Sequence, residues 1–490
     1  MGRHVRQGRA GRTGVGGPAD AAGGGAHGRR DRGVSASEAD DLSDLLELAR
    51  RVAGEARAGE HVEAYVARSR ETEVKVFGGQ VESLSSAETA GVGVRVLVDG
   101  RTGYAWAGTL DPKAVAEAVA EARDNSGFGE PDPDAGLATP EDVATAGPAR
   151  LDLWRPELLA VSADDKVGFA LEVEAATLGA DPRVRGVESA DYTDFALEAA
   201  VASSLGVEAS SRRTGCSVYA SALAGTEGET QTGFGFSAGR TVDDLDVAAA
   251  ARDAAERATR LLGARQSASR RVPVVLDPLV TRSVLALIGA AVNGEAVLKG
   301  RSMFAERAGE SVAAPMVTLS DDPTCADAFG ATPFDGEGVP TRRTALIDSG
   351  RLVGFLHNVY TARRSGTRTT GSAVRGYTAP PGVGARALSL VPGERAPEAL
   401  LAAVPEALYV QSVSGLHSGT DPVSGDFSVG AEGCMVRGGG FAEPVREVTI
   451  ASTLPRMLLD MMEVANDLTW LPGGAAGVTV LIGDMTMSGA

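Results

Sequence analysis

The residues of this chain that could do chemistry are few, and several of them stand in one polar stretch. Residues 411–433 read QSVSGLHSGTDPVSGDFSVGAEG and contain His417, Asp421 and Asp426 among five serines and five glycines. Loops of such composition often carry active sites. Two interpretations stay open: a loop at which the protein does chemistry, or ordinary tight turns built from Asp421-Pro422 and Ser424-Gly425-Asp426.

The histidines do not form a local metal-binding pair. The chain has five of them, His4, His27, His61, His357 and His417. A zinc peptidase helix brings two histidines together beside a glutamate that activates water. His61, in HVEAY, has a glutamate close behind but no second histidine. A dispersed site made from His357, His417 and a carboxylate remains an alternative.

Nucleophilic catalysis has little support in the same residues. The segment SVSGLHSG does not match the nucleophile elbow G-x-S-x-G. A Ser-His pair within residues 411–426 remains a weaker alternative, based on composition alone. Cys434, in AEGCMVRGGG, is expected to be a small buried thiol on a strand that precedes a turn. No catalytic residue is therefore assigned to this chain.

Composition restricts the classes of function further. The net charge of −18 disfavours a direct nucleic-acid binder, because phosphate contacts need clustered Lys and Arg. The three cysteines are far apart in sequence and form no C-x-x-C pair, which predicts a cytoplasmic protein without a disulfide framework. Apolar runs of the roughly eighteen residues that a transmembrane helix needs do not occur, so no membrane contact is expected.

The elements that must position these residues indicate an α+β protein with two folded regions. Residues 1–34 are rich in Arg and Gly and are predicted to be a disordered tail. Residues 35–265 are predicted to form an N-terminal α+β domain, an antiparallel sheet flanked by helices, with a connector at about 127–149. Residues 270–490 are predicted to form a β-rich, barrel- or sandwich-like C-terminal domain.

Individual elements follow from local signals. Asp99-Gly100 predicts a hairpin turn, and Asp111-Pro112 predicts the start of a helix. The segment LPRMLLDMMEVANDLTW is predicted to be a helix, and GVTVLIGDMTMSGA is predicted to be the closing strand. The arginine-containing segment 360–376 is interpreted as a solvated, mobile loop, with contact to a peptide carboxylate or an acidic partner as the alternative.

Longer segments of the chain resemble the TldD/PmbA family. The resemblance covers roughly residues 40–490. It rests on GLHSGTDPVSGDFSVGAEG, PVREVTIASTLPRMLLDMMEVANDL and VLIGDMTMSG in the C-terminal half, on KVFGGQVESLSSAETAGVGVRVLVDGRTGYAWAG near the N-terminus, and on RRVPVVLDPLVTRSVLALIGAAVNGEAVLKGRSMF between them. The stretch HSGTDPVSGDFSVGAEG resembles the PmbA branch, which is also called TldE.

The resemblance implies a subunit without the catalytic metal. In the TldD type, a helix carries an HExxxH zinc motif, and a Cys ligand follows near the C-terminus. The corresponding helix here reads SVLALIGAAV (283–292), which contains no His, Glu or Cys, and Cys434 lies about thirty residues before the position of the family's ligand. The helix face formed by Leu285, Leu287, Ile288 and Val292 is instead expected to pack as core. No metal ligand is therefore assigned to this chain.

By resemblance, the chain is a PmbA/TldE-type subunit that pairs with a TldD-type partner holding zinc. Together they would form a cytoplasmic metallopeptidase that acts on unfolded peptides or peptide precursors, and this chain would be inactive alone. The candidate substrate-groove residues are His417, Ser418, Asp421, Ser424, Asp426, Asn293 and Arg301. For Asn293, Gly294 and Arg301, the alternative is a helix C-cap.

Two other functions remain open. The first is a regulatory protein-binding module of the DNA gyrase modulator type, for which the acidic charge would suit contact with a basic protein face. The second is an independent enzyme that uses His357 or His417.

Overall fold

The computed structural model describes residues 41–144, 147–226 and 228–489, without the side chain of Asp41. The predicted tail over residues 1–34 and the first residues of the predicted N-terminal domain, 35–40, lie outside these ranges. Within them, no helix is long and apolar enough to cross a membrane.

In the first half of the described chain, six strands form one antiparallel sheet in the order β3-β2-β1-β4-β5-β6. Their bounds are β1 (Glu60–Phe77), β2 (Gln80–Val98), β3 (Arg101–Ala107), β4 (Val184–Ser203), β5 (Glu208–Thr226) and β6 (Glu229–Gly239). The hairpin predicted at Asp99-Gly100 is confirmed, because φ is 48° at Asp99 and 74° at Gly100, as a two-residue turn with two left-handed positions requires.

Helices cover this sheet. They are α1 (Asp41–Ala53), α2 (Pro112–Phe128), α3 (Pro140–Val143), α4 (Pro156–Leu159), α5 (Ala163–Ala180) and α6 (Val247–Arg260), and a 3₁₀ turn, Val242–Asp244, precedes α6. Helix α2 begins as predicted, since the Asp111 side chain accepts backbone N–H bonds from Lys113 and Ala114 and Pro112 is its first residue. Alanines fill much of the interface between α6 and the sheet.

The second half of the chain contains many short strands. They are β7 (Arg270–Leu276), β8 (Leu319–Asp321), β9 (Thr344–Asp348), β10 (Arg351–Leu352), β11 (Ala373–Val374), β12 (Gly382–Val383), β13 (Leu388–Leu390), β14 (Glu406–Ser414), β15 (Asp426–Arg437), β16 (Gly440–Thr453), β17 (Met461–Val464), β18 (Thr469–Trp470), β19 (Ala476–Gly477) and β20 (Val480–Ser488). The helices among them are α7 (Pro278–Ala291), α8 (Gly294–Leu298), α9 (Val359–Arg364), α10 (Pro397–Ala402) and α11 (Leu454–Leu459).

Five of these strands, in the order β16-β15-β14-β7-β20, close into a barrel within the described residues because β16 also pairs with β20. The closing register joins Thr449 to Ser488 and Ala451 to Thr486. Strand β7 lies parallel to β14 and antiparallel to β20, and its alternate residues Val272, Val274 and Leu276 belong to the large core that also takes in α7. The predicted α+β class and the β-rich C-terminal domain are thus confirmed.

The predicted helix over residues 454–470 is wrong beyond its first turn. Helix α11 ends at Leu459, and the following residues form β17, in which Met461 pairs with Ile482 and Val464 with Val480 of β20. Met461 and Val464 are buried in the core that contains β20, so tertiary packing overrides the local helical pattern here. The predicted boundary between the two folded regions, at residues 265–270, lies in sequence between the strands of the first large sheet and those of the second. The domain boundaries themselves stay a prediction.

Candidate functional site

The site is organised by helix α7, which leaves the barrel directly from β7. Asp277 caps the helix, its Oδ1 accepting the Leu279 N–H at 2.9 Å, and Pro278 follows as the first helical residue. Asp277 is only 2% exposed. It accepts two hydrogen bonds from Nη2 of Arg257 in α6, at 3.0 and 2.7 Å, and one from the Tyr409 hydroxyl of β14. One carboxylate therefore fixes α7 relative to α6 and to the barrel.

Helix α7 has an apolar inner face and no side chain suited to bind a metal. Leu285 and Ile288 are each 1% exposed and pack in the barrel core, as the sequence predicted. The helix contains no His, Cys, Asp or Glu. Across the described residues, no three or more such side chains cluster closely enough to hold a metal ion.

The outer face of α7 borders an open groove of about 580 Å³. Ala286 and Ala290, one turn apart and exposed, form part of its floor. The opposite wall consists of the backbone and small side chains of residues 383–385 and 474–475, and Leu416 of the polar loop also lines it. The groove is therefore wide, weakly polar and rich in small residues.

Asn293 lies in this groove but does not have the predicted capping role. Its Oδ1 accepts the Glu295 N–H at 2.8 Å, so it is the N-cap of α8, and its Nδ2 donates to the Val383 carbonyl at 2.7 Å. The C-cap interpretation is wrong because α7 is already capped by Val292, whose N–H donates to Ile288. Asn293 thus ties α8 to the groove wall.

Gly294 and Arg301, next to Asn293, differ in their surroundings. A Cβ on Gly294 would lie 2.4 Å from Nδ1 of His357, so only glycine fits there. Arg301 is exposed, and its backbone N–H donates to Ala296 at 2.8 Å. Arg301 is not among the residues that line the groove.

The polar stretch of residues 411–433 comprises the end of β14, the connection at residues 415–425 and the first part of β15. Asp421 Oδ1 accepts the N–H groups of Val423 and Ser424 at 2.7 and 3.0 Å, and these bonds lower the pKa of Asp421. Ser424 Oγ donates to Asp426 at 2.8 Å. Gly425 has a φ of 78° and packs so tightly that a Cβ would lie 2.6 Å from Pro455. These contacts are turn chemistry.

His417 and Ser418 precede these turns and are exposed. Ser418 Oγ donates to the Gly415 carbonyl at 3.2 Å. The neighbouring Leu416 lines the groove together with Asn293, so the structure brings the start of the loop to α7. The five candidate residues of the loop are themselves not in the lining, namely His417, Ser418, Asp421, Ser424 and Asp426. The assignment of these residues to a substrate groove stays a prediction.

The other candidate side chains are buried. His357 is 7% exposed, its Nδ1 lies 3.2 Å from Thr361 Oγ1, and burial lowers its pKa. Cys434 is 1% exposed on β15, and burial raises its pKa to about 11, so it is the inert strand thiol that the sequence predicted. His4 and His27 lie outside the described residues.

Two features were missed from the sequence. Residues 235–239, GFSAG, match the G-x-S-x-G spacing, yet they lie at the end of strand β6, where Ser237 Oγ accepts the Asp246 N–H, and not at a strand-to-helix elbow. The interpretation of residues 360–376 as a solvated loop is wrong for Arg375, whose side chain is 0% exposed and pairs with Glu63. That pair joins residues 312 positions apart, so no local signal could reveal it.

Comparison with known proteins agrees with this architecture along most of the chain. Residues 62–126, 156–262 and 269–489 match family models described as PmbA/TldA metallopeptidase domain 1, central domain and C-terminal domain. Metalloprotease PmbA of Escherichia coli O157:H7 is 28% identical over 458 residues, which cover 92% of this chain and 98% of that protein. A metalloprotease of Methanothermobacter thermautotrophicus is 26% identical over 434 residues, covering 87% and 92%.

Solved structures show the same fold. A protein of Thermotoga maritima described as a proposed modulator of a DNA gyrase superposes with a TM-score of 0.82 at 26% identity, covering 92% of this chain and 100% of that one. TldE of Thermococcus kodakarensis gives a TM-score of 0.82 at 23% identity, covering 91% and 100%. With three consecutive family domains matched, the chain belongs to the TldD/PmbA family and has its metallopeptidase-like fold.

Proposed function

We propose that this chain is the non-catalytic, PmbA/TldE-type subunit of a heteromeric TldD–TldE zinc metallopeptidase that cleaves unfolded peptides or peptide precursors. The observation that carries the proposal is helix α7. By the family resemblance, α7 corresponds to the zinc-binding helix of the TldD type, but the face that it turns to the barrel is aliphatic, and Leu285 and Ile288 are almost fully buried.

The residues present do not fit zinc. Zinc in proteins is held by Cys, His, Asp or Glu, and residues 278–292 contain none of these types. The segment 467–483 after β17 contains no Cys. No step of peptide hydrolysis is therefore derived through a metal in this chain, and zinc is expected in the TldD-type partner.

What this chain can contribute is the wall of a peptide-binding chamber. The groove along α7 has about 580 Å³, within the range of roughly 300–1,000 Å³ that is typical of ligand pockets. The Val383 carbonyl and the Gly384 N–H already bond to Asn293 and Ser372. The small side chains of the lining would therefore hold an extended peptide by packing that depends little on its sequence, which suits unfolded substrates. The loop with His417 and Ser418 would border its entrance.

The cytoplasmic location belongs to the same proposal. Cys216 and Cys434 are buried and Cys325 is partly buried, and all three are free thiols. Free thiols are usual in a reducing compartment.

The test is to express this chain with and without a TldD-type subunit from the same organism. Each subunit and the mixture are examined by size-exclusion chromatography with light scattering and by cleavage of an unfolded peptide. The proposal predicts a mixed complex, cleavage by that complex, and no cleavage by this chain alone. Binding to DNA gyrase without formation of such a complex would instead support a regulatory module, and cleavage by this chain alone would contradict the proposal.

A further inference from the structure

A second cavity lies far in sequence from the α7 groove, between the N-terminal sheet and the segment 331–336. Its volume is about 90 Å³. Residues of β4 and β5 form one wall of the cavity. The other wall contains residues of the segment 331–336, Arg375, which follows β11, and Arg386, which lies beyond β12. Four arginines line it, Arg212 and Arg213 from β5 and Arg375 and Arg386 from the C-terminal half. Arg212 stacks on Trp154, and the other three have side-chain donors without a hydrogen-bond partner among the described residues.

These guanidiniums have donors that the protein does not use. Nε of Arg213, Nε and Nη2 of Arg375, and Nε of Arg386 are buried and have no hydrogen-bond partner in the part of the chain that the structure describes. Buried polar atoms are nearly always hydrogen-bonded in folded proteins, and an unused donor on a charged group is costly. The Arg375 guanidinium also stacks on the rings of Tyr65 and Tyr104. Nε of Arg213 and Nε of Arg386 have no such ring contact in the described part of the chain, which indicates that something else accepts from them.

The charges of the cavity are also incompletely balanced. Arg375 Nη1 binds Glu63 at 2.5 Å, Glu63 also pairs with Arg95 at 2.7 Å, and Arg95 pairs in turn with Glu337 at 2.9 Å. Two carboxylates thus balance Arg95 and Arg375. Arg213, in contrast, forms no ion pair within the described residues. Burial and the nearby positive charges of Arg386 and Arg240 lower the pKa of Arg213 to about 10.

One carboxylate does lie in the wall, but other groups occupy its oxygens. Asp335 Oδ1 accepts the N–H groups of Glu337 and Val339 at 2.8 and 3.0 Å, and its Oδ2 accepts the Ala373 N–H at 3.0 Å. Burial and the proximity of Glu337 raise its pKa. Asp335 therefore shapes the loop at 335–339 and does not satisfy the free guanidinium donors.

We propose that this cavity binds a small oxyanion, a carboxylate or a phosphate, through the guanidinium groups of Arg213, Arg375 and Arg386. Guanidinium forks match the spacing of oxygens in both anions and bind them in a bidentate manner. The volume suits a group of this size, since one water needs roughly 10–15 Å³ by the same kind of measure. The oxyanion could be inorganic phosphate or the carboxylate of a peptide.

The test uses the full chain in a chloride buffer free of oxyanions, at constant ionic strength. Inorganic phosphate, N-acetylglycine and the neutral N-acetylglycinamide are titrated in parallel by calorimetry and by thermal melting. The proposal predicts saturable binding and a rising Tm with phosphate or with N-acetylglycine, and no effect of N-acetylglycinamide. Response to phosphate alone identifies an inorganic anion, and response to N-acetylglycine alone identifies a carboxylate.

Variants separate binding from a structural role. Arg213→Met is expected to weaken anion binding by about tenfold or more and, without anion, to melt no lower than the wild type, because it removes an unpaired buried charge. Arg213→Lys keeps the charge without the fork and is expected to bind more weakly than the wild type. Arg343→Met alters an exposed arginine outside the cavity lining and should leave binding unchanged.

The inference would be overturned if neither anion binds the wild type more strongly than chloride does. It would also be overturned if both Arg213 variants bind the anion as the wild type does.

Discussion

The carboxylate of Asp277 offers the sharpest test of how the site is held. We predict that Asp277→Asn strongly destabilises the protein although the helix cap can persist, because the asparagine Oδ1 can still accept the Leu279 N–H. What is lost is the charge opposite Arg257. The Asp277 side chain is 2% exposed and that of Arg257 is 16% exposed, so the remaining guanidinium would be left with little solvent and no counter-ion.

The magnitude follows from this burial. Removal of one partner of a buried ion pair typically costs about 3–5 kcal/mol, a large part of the roughly 5–15 kcal/mol that stabilises most folded proteins. The matched control is Asp484→Asn. Asp484 binds Arg271 at 2.9 and 2.8 Å, but the two side chains are 46% and 62% exposed. Exposed pairs contribute only about 0–1 kcal/mol.

The assay is urea unfolding followed by tryptophan fluorescence for both variants and for the double variant Asp277→Asn/Arg257→Met. The double variant should recover part of the lost stability, since methionine leaves no unpaired charge. A loss for Asp277→Asn no larger than that for Asp484→Asn, or strict additivity in the double variant, would refute the role assigned to this buried pair.

Three further predictions concern other parts of the molecule. Burial raises the pKa of Asp321 to about 6. The ionised carboxylate therefore destabilises the fold at pH values above this pKa, and the destabilisation disappears as the pH falls toward the pKa of an ordinary aspartate. Asp321→Asn should therefore raise the free energy of unfolding by up to about 3 kcal/mol near pH 8 and by much less near pH 4.5, and equal gains at both pH values in urea titrations would contradict this. Ala286→Trp fills the α7 groove and should reduce peptide cleavage by the mixed complex at least about tenfold. Ala120→Trp, on the exposed face of α2, should leave the cleavage rate unchanged. Equal cleavage rates for the two variants would contradict a role of the groove in peptide binding. Gly425→Ala should cost about 1–3 kcal/mol more than Gly206→Ala in the same unfolding assay, because both have positive φ but only Gly425 has neighbours within 4 Å; equal losses would contradict the packing of the loop.

Local signals predicted those parts of the fold that local chemistry determines. Asp99-Gly100 and the Asp111-Pro112 helix start are each encoded in adjacent residues. The aliphatic face expected to pack as core on α7 includes Leu285 and Ile288, which are almost fully buried. The order of helical and strand-like segments predicted the α+β class.

The failures have a common physical cause, which is pairing over long distances in sequence. Residues 461–464 form a strand and not a helix because β20 supplies their hydrogen-bond partners. Arg375 was interpreted as solvated because its counter-ion, Glu63, belongs to the N-terminal sheet. Asn293 was mistaken for a C-cap because the five-residue helix α8 is too short to leave a periodic pattern.

The central claim is that this chain contributes a groove and no metal to a shared peptidase. The most direct measurement is the zinc content of the chain purified alone, of the TldD-type subunit alone and of their complex, by mass spectrometry after dialysis against buffer with trace zinc. The account predicts no stoichiometric zinc in this chain, and zinc in the complex in proportion to the TldD-type subunit. Stoichiometric zinc in this chain alone, lost on substitution of His357 or His417, would contradict it.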